Sequence, residues 1–483
     1  MVDYISELPD DVLSYILTRI SMKDLLKTSV LSKRWCELWT LRKDLHFDIF
    51  NVFGETEEEL VQTGYVIDVP DGPTMKTLAN LNTTRDEFVK RVDQFVNNFH
   101  GTKIASFFVN FYLNSDQSTI IDRWITFAIA REVQIIDLLF LGLPYARSDR
   151  RKFYKFPFDL LLETNTSTLK HLSLKGCLIC NPTNYDFRPL KNLRFLSLNT
   201  VKLDEIFIEK LLFNCGFLEE LHLISCHFQA SMPKIISSSL LNLKIINVYI
   251  VPNMGIVDID LTLLDCPKLN SLDYLGDGLG TMSINTPMLK YINFPINFPI
   301  RDEEQLNTFS LCATFLQLET MRVDITSTVI ASLNINQPFK HLKELNLILL
   351  LNFDIPMNVN YDLLWILNLL QASPLLQKLS AMFTYPEFLE KQKDIRDIEI
   401  FHDEIKVIEF RGFLGNWFEI EFVINVLKYV EKLEQIVLTP CWKEDDSMEE
   451  WISDPVCFQS ARERISEKLQ GEQVLRPEKL VLL

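Results

Sequence analysis

The stretch CGFLEELHLISC, from Cys215 to Cys226, contains the pattern that decides how this chain folds. Leu218, Leu221 and Leu223 form the triplet L-x-x-L-x-L, and similar triplets recur on both sides of it. Five of them begin at positions 169, 193, 218, 243 and 269, so successive copies are 24, 25, 25 and 26 residues apart. A period of this length indicates an array of similar units, each too small to bury its own apolar residues.

The triplet extends well beyond its five most regular copies, and we count thirteen candidate strands. Their first anchors are Ile104, Val133, Leu169, Leu193, Leu218, Leu243, Leu269, Leu289, Leu318, Leu342, Leu376, Ile405 and Leu433. The pattern is the signature of a leucine-rich repeat. It predicts an α/β fold, a curved leucine-rich-repeat solenoid of about thirteen irregular repeats in which the strands line up on one face.

The bulk composition restricts the classes of function. The chain of 483 residues has a formal net charge of -17, which argues against nucleic acid as a ligand because phosphate binding needs clustered Lys and Arg. No apolar run reaches the roughly 18 residues of a membrane helix, so we expect no membrane partner. Nine cysteines without a secretory signal indicate reduced thiols and a location in the cytoplasm, the nucleus or both.

The first part of the chain has its own pattern. Three short predicted helices within residues 3–47 bear more large apolar side chains than so small a unit can bury, which suggests docking to a partner. Ser21 and Asp24 form a capping box at the start of the second helix. The phrases ISELPDDVLSYIL and TSVLSKRW in this segment resemble the F-box, in particular the plant type.

The resemblance implies a set of partners. An F-box binds a Skp-type adaptor, and through it a cullin scaffold and a RING subunit. The positions that match the family's adaptor-contacting and core positions are Leu8, Pro9, Leu13, Ile16, Leu17, Leu25, Val30, Leu31 and Trp35.

Four segments follow from these patterns. Residues 1–48 are the predicted F-box, and 49–100 are a linker with an acidic insertion and an entry helix. Residues 101–400 are the solenoid. Residues 401–483 resemble the FBD module that ends many plant F-box proteins, with the turn RGFLG, and they finish in a capping helix at 457–469.

Strand alternation predicts which side chains the array displays for a protein target. The residues flanking the second anchor of each triplet, and the residue after the third, should face outward. The candidates are His171, Ser173, Phe195, Asn199, Glu220, His222, Asn247, Tyr249, Asp273, Tyr291, Arg322 and Asp324. This mixture of aromatic and polar side chains suits recognition of a protein.

The sequence offers no sign of catalysis. We find no G-x-S-x-G, HExxH or P-loop motif, and we expect no enzyme activity, no cofactor and no metal site. Cys177 and Cys180 form an isolated CxxC, which is a weak metal signal. Cys177, Cys226 and Cys441 each come three residues after a last anchor, where such repeats place Asn or Cys, so we interpret them as structural thiols.

Three functions remain open. The first is the substrate-recognition subunit of an SCF-type (Skp-cullin-F-box) ubiquitin ligase. The second is a small-molecule-sensing F-box receptor on the same scaffold, and the third is a protein-interaction scaffold outside any ligase. The sequence names neither the target protein nor the pathway.

Overall fold

The computed structural model describes most of the chain, with gaps. The described residues are 7–28, 39–54, 75–140, 153–162, 167–180, 186–228, 231–250, 263–276, 283–296, 309–326, 337–350, 363, 365–386, 388–389, 394–443, 451–453, 455–472 and 476–483. The chain divides into two compact units. The N-terminal unit consists of Met1–Leu240 with Asn247–Asp260, and the C-terminal unit of Leu241–Ile246 with Leu261–Leu483.

The chain starts with two of the three predicted short helices, α1 (Asp10–Thr18) and α2 (Met22–Thr28). Of the capping box predicted at α2 the structure shows one half: the Asp24 amide donates to Ser21 Oγ at 3.1 Å. The third predicted helix, with Trp35, lies largely outside the described residues. A turn of 3₁₀-helix, Trp39–Leu41, leads from there into the first strand.

The predicted linker contains a helix at each of its two ends. Asp48 caps a short helix, α3 (Ile49–Phe53), by accepting a hydrogen bond from the Asn51 amide. The entry helix predicted from Arg85 onward is longer than expected, α4 (Met75–Asn98). The acidic cluster at 55–59 lies outside the described residues.

Further helices within the described residues include α5 (Ser118–Ile129), α6 (Asp159–Leu162), α7 (Glu205–Asn214), α8 (Trp365–Ala372), α9 (Trp417–Tyr429) and α10 (Pro455–Gly471). The last confirms the predicted helix at 457–469.

Parallel strands form the frame of the N-terminal unit. In spatial order they are β1 (Asp44–Phe47), β2 (Ser106–Asn110), β3 (Ile135–Leu139), β5 (His171–Lys175), β7 (Phe195–Asn199) and β9 (Glu220–Ile224). Short strands accompany them: β4 (Tyr154–Pro157), β6 (Cys177–Cys180), β8 (Lys202–Leu203), β10 (His227–Phe228), β11 (Ile235–Ile236) and β13 (Tyr249–Ile250). Each neighbouring pair of the six long strands is parallel and in register, for example His171 opposite Phe195 and Phe195 opposite Glu220.

The C-terminal unit repeats this arrangement with nine parallel strands. In spatial order they are β12 (Asn242–Ile246), β15 (Ser271–Leu275), β17 (Tyr291–Ile296), β18 (Thr320–Thr326), β19 (Glu344–Leu350), β20 (Lys378–Thr384), β21 (Val407–Arg411), β22 (Gln435–Thr439) and β23 (Leu480–Leu482). Two short strands, β14 (Leu263–Asp265) and β16 (Ser283–Asn285), pair with each other in parallel.

The repeat pattern is confirmed as the source of these strands. The anchors of twelve triplets are buried in the predicted phase, from Ile104, Phe107 and Val109 to Leu433, Ile436 and Leu438. Two of the strands given above in spatial order were not predicted: β1, at 44–47, and β23, at 480–482. The α/β class with one parallel strand per repeat is confirmed.

The remaining triplet, which begins at Leu243, was assigned to the wrong register. Leu243 was predicted as a first anchor, followed by Ile246 and Val248. In the structure Leu240, Leu243 and Ile245 are buried, and Leu243 pairs with Leu272, which is a second anchor. The physical reason is that 245, 246 and 248 are all apolar, so alternation alone does not fix the phase.

Candidate protein-binding surfaces

Helix α1 divides its apolar side chains between the interior and the surface. Leu13 and Leu17 are fully buried, whereas Val12 is 40% exposed and Tyr15 is 62% exposed. Tyr15 is also contacted by Arg19, whose guanidinium donates to the tyrosine oxygen at 3.0 Å. The surface available to a partner on this helix therefore centres on Val12 and Tyr15.

This distribution divides the predicted adaptor set by accessibility. Leu13, Leu17 and Leu25 are fully buried in the chain by itself, as residues at the family's core positions would be. Pro9 is exposed, and Leu8 and Ile16 are half-buried, so these three remain accessible. Val30, Leu31 and Trp35 lie outside the described residues.

The helices are fastened to the start of the sheet by polar contacts. Ser14 Oγ donates to the Leu41 carbonyl at 2.7 Å. Arg42, almost fully buried, donates to the carbonyl oxygens of Ile20 at 3.1 Å and Asp44 at 2.8 Å. Burial lowers the pKa of Arg42. Sequence reasoning missed this arginine because a buried guanidinium leaves no periodic signal.

The outward side chains of β5, β7 and β9 form an aromatic cluster in the N-terminal unit. The rings of His171 and Phe195 stack with centroids 4.0 Å apart, and His222 meets Phe195 edge-on at 4.9 Å. Glu220 lies 3.8 Å from His222. Burial lowers the pKa of His171, so this imidazole is neutral near pH 7. Ser173 and Asn199 lie on the same side, as alternation predicts.

Two predicted members of this surface lie elsewhere. Asn247 and Tyr249 were placed on a strand by the incorrect register. Asn247 instead follows β12 with a positive φ of 50°, and Tyr249 starts the short strand β13.

In the C-terminal unit, Asp273 is the centre of a polar cluster on the outward side. Asn293 Nδ2 donates to Asp273 Oδ1 at 3.2 Å, and Lys244 Nζ lies 3.5 Å from Oδ2. Burial raises the pKa of Tyr291, and the nearby Asp273 adds to the effect. On the next strand Arg322 Nε is 3.5 Å from Asp324 Oδ1.

The cysteines that the repeat pattern singled out are in the interior or partly covered. Cys177, Cys215 and Cys226 are buried, and burial raises the pKa of each thiol to about 12. The Cys226 thiol donates to the Leu198 carbonyl at 3.2 Å. A thiol with so high a pKa is a poor nucleophile and metal ligand, which agrees with a structural role. Cys441 is less buried.

Comparison with models of known protein families shows which family the chain belongs to. The family described as the At1g61320/AtMIF1 leucine-rich-repeat (LRR) domain matches residues 95–476, well over half of the chain. The chain belongs to this leucine-rich-repeat family. An F-box domain matches residues 5–47, so this LRR protein has an F-box ahead of its repeats.

Similar proteins in Arabidopsis thaliana are named as F-box proteins, and one of them also as an FBD and LRR-repeat protein. F-box protein At1g80960 is 27% identical over 60% of this chain and 53% of its own length. F-box/FBD/LRR-repeat protein At1g78750 is 28% identical over 46% of this chain and 42% of its own. Putative F-box protein At1g67390 is 52% identical over 54 residues, 11% of each chain. The resemblance to plant F-box/LRR proteins is thereby confirmed, although this chain spans only about half the length of the first two relatives.

Within the described residues, no helix combines the length and apolarity that crossing a membrane requires.

Proposed function

We propose that this LRR protein is the substrate-recognition subunit of an SCF-type ubiquitin ligase. Its F-box docks on a Skp-type adaptor, which links it to a cullin and a RING subunit. Its repeat units hold a protein target, whose lysines are thereby brought near activated ubiquitin. The protein is no enzyme itself, because the chemistry belongs to the other subunits, and it acts by proximity.

The observation that supports this proposal most is the exposed apolar surface of α1 inside the F-box match. Burial of a tyrosine at an interface contributes more than its area alone suggests, because the ring is large and rigid and its hydroxyl finds a partner. Tyr15 and Val12 lie three residues apart on the same helix face, beside the exposed Pro9. An isolated protein gains nothing from leaving this surface in water.

The outward faces of the repeats support the recognition half of the proposal. They display aromatic, amide and charged side chains instead of the concentrated Lys and Arg that a nucleic acid would require. The cytoplasm and the nucleus are the compartments in which such a complex acts.

The decisive experiment is a binding measurement between the full chain and a purified plant Skp-type adaptor. Tyr15→Ala should weaken binding by about 2 kcal/mol, roughly thirtyfold, because it removes an exposed aromatic anchor. Its thermal transition should be unchanged. The matched control is Phe213→Ala on α7, since Phe213 is 86% exposed and lies far along the chain from the F-box.

The outcomes separate the three candidate functions. Wild-type affinity in Tyr15→Ala would remove α1 from the interface. Failure of the wild-type chain to bind any adaptor would favour the scaffold without a ligase. If the adaptor binds but a target is captured only when a small molecule is added, the protein is a small-molecule-sensing F-box receptor instead of a subunit that recognises its target without a ligand.

A further inference from the structure

The outward face of the N-terminal unit has a row of side chains whose middle part is short, and we call this part the trough. The register sets five side chains in one row across neighbouring strands: Phe108, Asp137, Ser173, Ser197 and His222. The two ends of the row are rings, and its middle consists of short side chains. With neighbouring strands about 4.8 Å apart, the short part from β3 to β7 is about 10 Å long, enough for one extended side chain.

The same register supplies the two sides of the trough. The outward residues two positions earlier on β3, β5 and β7 are Ile135, His171 and Phe195. Those two positions later are Leu139, Lys175 and Asn199. Apolar and aromatic groups therefore line most of the trough, with one carboxylate on its floor.

That carboxylate, Asp137, lacks a charged partner. Its Oδ1 atom is covered by protein and accepts no hydrogen bond. No ion pair joins it to any basic side chain in the described part of the chain. Burial raises the pKa of Asp137, and a hydrogen bond from Ser173 only partly opposes this. An ionised group in such surroundings destabilises the fold until a cation compensates it.

The charge of the surrounding face has the matching sign. Its described outward positions on the six strands include three acids, Asp44, Asp137 and Glu220, against one base, Lys175. Burial lowers the pKa of both His46 and His171, so these imidazoles add no positive charge near pH 7. The face attracts cations and repels acidic ligands.

We propose that this trough receives a lysine or arginine side chain from an extended segment of the protein target, with Asp137 as its counter-ion. The aliphatic stem of such a residue packs between Ile135 and Leu139. Its charged head lies beside Asp137 and the ring of Phe108, the residue opposite Asp137 on β2, where cation–π attraction adds to the ion pair. The inference rests on the proposed function, because it names the class of target segment that the repeat face takes.

The test uses the full chain and arrays of 12-residue peptides. The central residue of each peptide is Lys, Arg, Gln or Glu, and the flanking positions are randomised. The wild-type chain should retain Lys-centred and Arg-centred peptides in preference to the Gln-centred and Glu-centred ones. Asp137→Asn should weaken that retention by at least about tenfold while preserving the hydrogen bond with Ser173.

A second measurement shows that the effect is local. Asp137→Asn should raise the thermal midpoint of the unliganded chain, because it removes a half-buried charge that has no ion-pair partner among the described residues. The control Glu132→Gln makes the same change of net charge at an exposed ion pair with Lys103, just before β3. It should leave both peptide retention and the midpoint nearly unchanged.

Contrary results are distinguishable from failure of the ligase proposal. Equal retention of Gln-centred and Arg-centred peptides by the wild-type chain overturns the inference. So does unchanged retention in Asp137→Asn, or a lower midpoint in that variant. Binding to the Skp-type adaptor is measured on the same samples. If the chain binds the adaptor but does not prefer peptides with a central Lys or Arg, only the inference is overturned. If it prefers those peptides but does not bind the adaptor, only the ligase proposal is overturned.

Discussion

At the scale of single residues, the turns after several repeat strands require a left-handed backbone conformation. Gly176, Thr200 and Ser225 follow β5, β7 and β9 directly, and all three have positive φ. The left-handed conformation turns the chain so that the next residue is buried, as Cys177 and Cys226 are. Thr200 and Ser225 adopt this conformation although they have a Cβ atom. At Gly176 there is no room for a Cβ atom.

Gly176→Ala should destabilise the N-terminal unit by several kcal/mol. The added Cβ would lie 1.8 Å from the Phe140 carbonyl oxygen, and the φ of 71° is unfavourable for any L side chain by about 1 kcal/mol. Denaturant unfolding of the full chain measures the loss.

The matched control is Gly216→Ala, in the turn before β9. A Cβ there meets no atom within 4 Å, so the change should be below about 1 kcal/mol and can even stabilise by restricting the unfolded chain. Equal effects of the two substitutions would show that the Phe140 carbonyl is free to move aside.

At the scale of elements, α9 differs most from what its sequence suggests. It contains Glu419, Glu421 and Asn425, yet every residue from Trp417 to Leu427 is buried. Its polar side chains bind a non-strand segment of the chain instead of water. Asn425 Oδ1 accepts from the Ile398 amide at 2.9 Å, and Glu421 Oε1 accepts from the Arg396 amide at 2.9 Å. These side chains satisfy backbone groups that no strand partner reaches.

Glu419, at the start of α9, should make the stability of the C-terminal unit depend on pH. Burial raises its pKa to about 7, opposed by hydrogen bonds from the side chain of Asn416 and the amides of Asn416, Leu414 and Gly415. The raised value favours the protonated form in the folded chain. Its contribution is therefore complete below about pH 4.5 and is lost as the pH rises through 7, by about 3 kcal/mol in all.

Glu419→Gln is the comparison that isolates this group. A glutamine resembles the neutral acid and does not titrate, so the free energy of unfolding of the wild type should fall relative to the variant between pH 5 and pH 8. Hydrogen exchange of the α9 amides measures the difference within this element. A constant difference across that range would mean that Glu419 stays ionised in the folded chain.

The anchors of twelve repeats were predictable because burial of alternate residues in a strand imposes a period of two on the sequence. At β12 the same rule failed, since Leu243, Ile245 and Ile246 give two acceptable phases. The rule also placed Asp137 outward, beside the anchors Ile136 and Leu138. It could not show that the carboxylate would lack a charged partner. That depends on Phe108 and Ser173, which come from other strands.

The sequence also could not predict which side chains of α1 face the interior and which face the surface, for a similar reason. Helical spacing showed that Leu13, Leu17 and Val12 belong to an apolar helix, but not which of them face inward. The inward side is set by the 3₁₀ turn at 39–41, to which Ser14 is hydrogen-bonded. Contacts between segments distant in sequence decide such questions, and periodicity does not report them.

At the scale of the whole molecule, the F-box segment and the repeats are coupled through one strand. The F-box match ends at residue 47, and β1 occupies Asp44–Phe47. This strand pairs in parallel with β2, and the Lys43 carbonyl accepts a hydrogen bond from the Ala105 amide at 2.8 Å. The predicted limit at residue 48 therefore cuts after the first strand of the sheet, and the separability of the F-box depends on which side of β1 the chain is divided.

Two truncations test this coupling. A chain that starts at Lys43 keeps β1, and a chain that starts at Ile49 lacks it. Leu45 and Phe47 are fully buried, and the Phe47 ring lies 5.6 Å from the rings of both Phe95 and Phe107. Loss of two such side chains should cost several kcal/mol, since single large-to-small changes in a core already cost about 2–5. Hydrogen exchange of the β2 amides should thus remain slow in the longer fragment and become fast in the shorter one.

Both fragments lose α1 and should fail to bind the adaptor, so adaptor binding does not distinguish them. Equal protection of β2 in the two fragments would show that the sheet begins at β2 and that β1 belongs with the F-box.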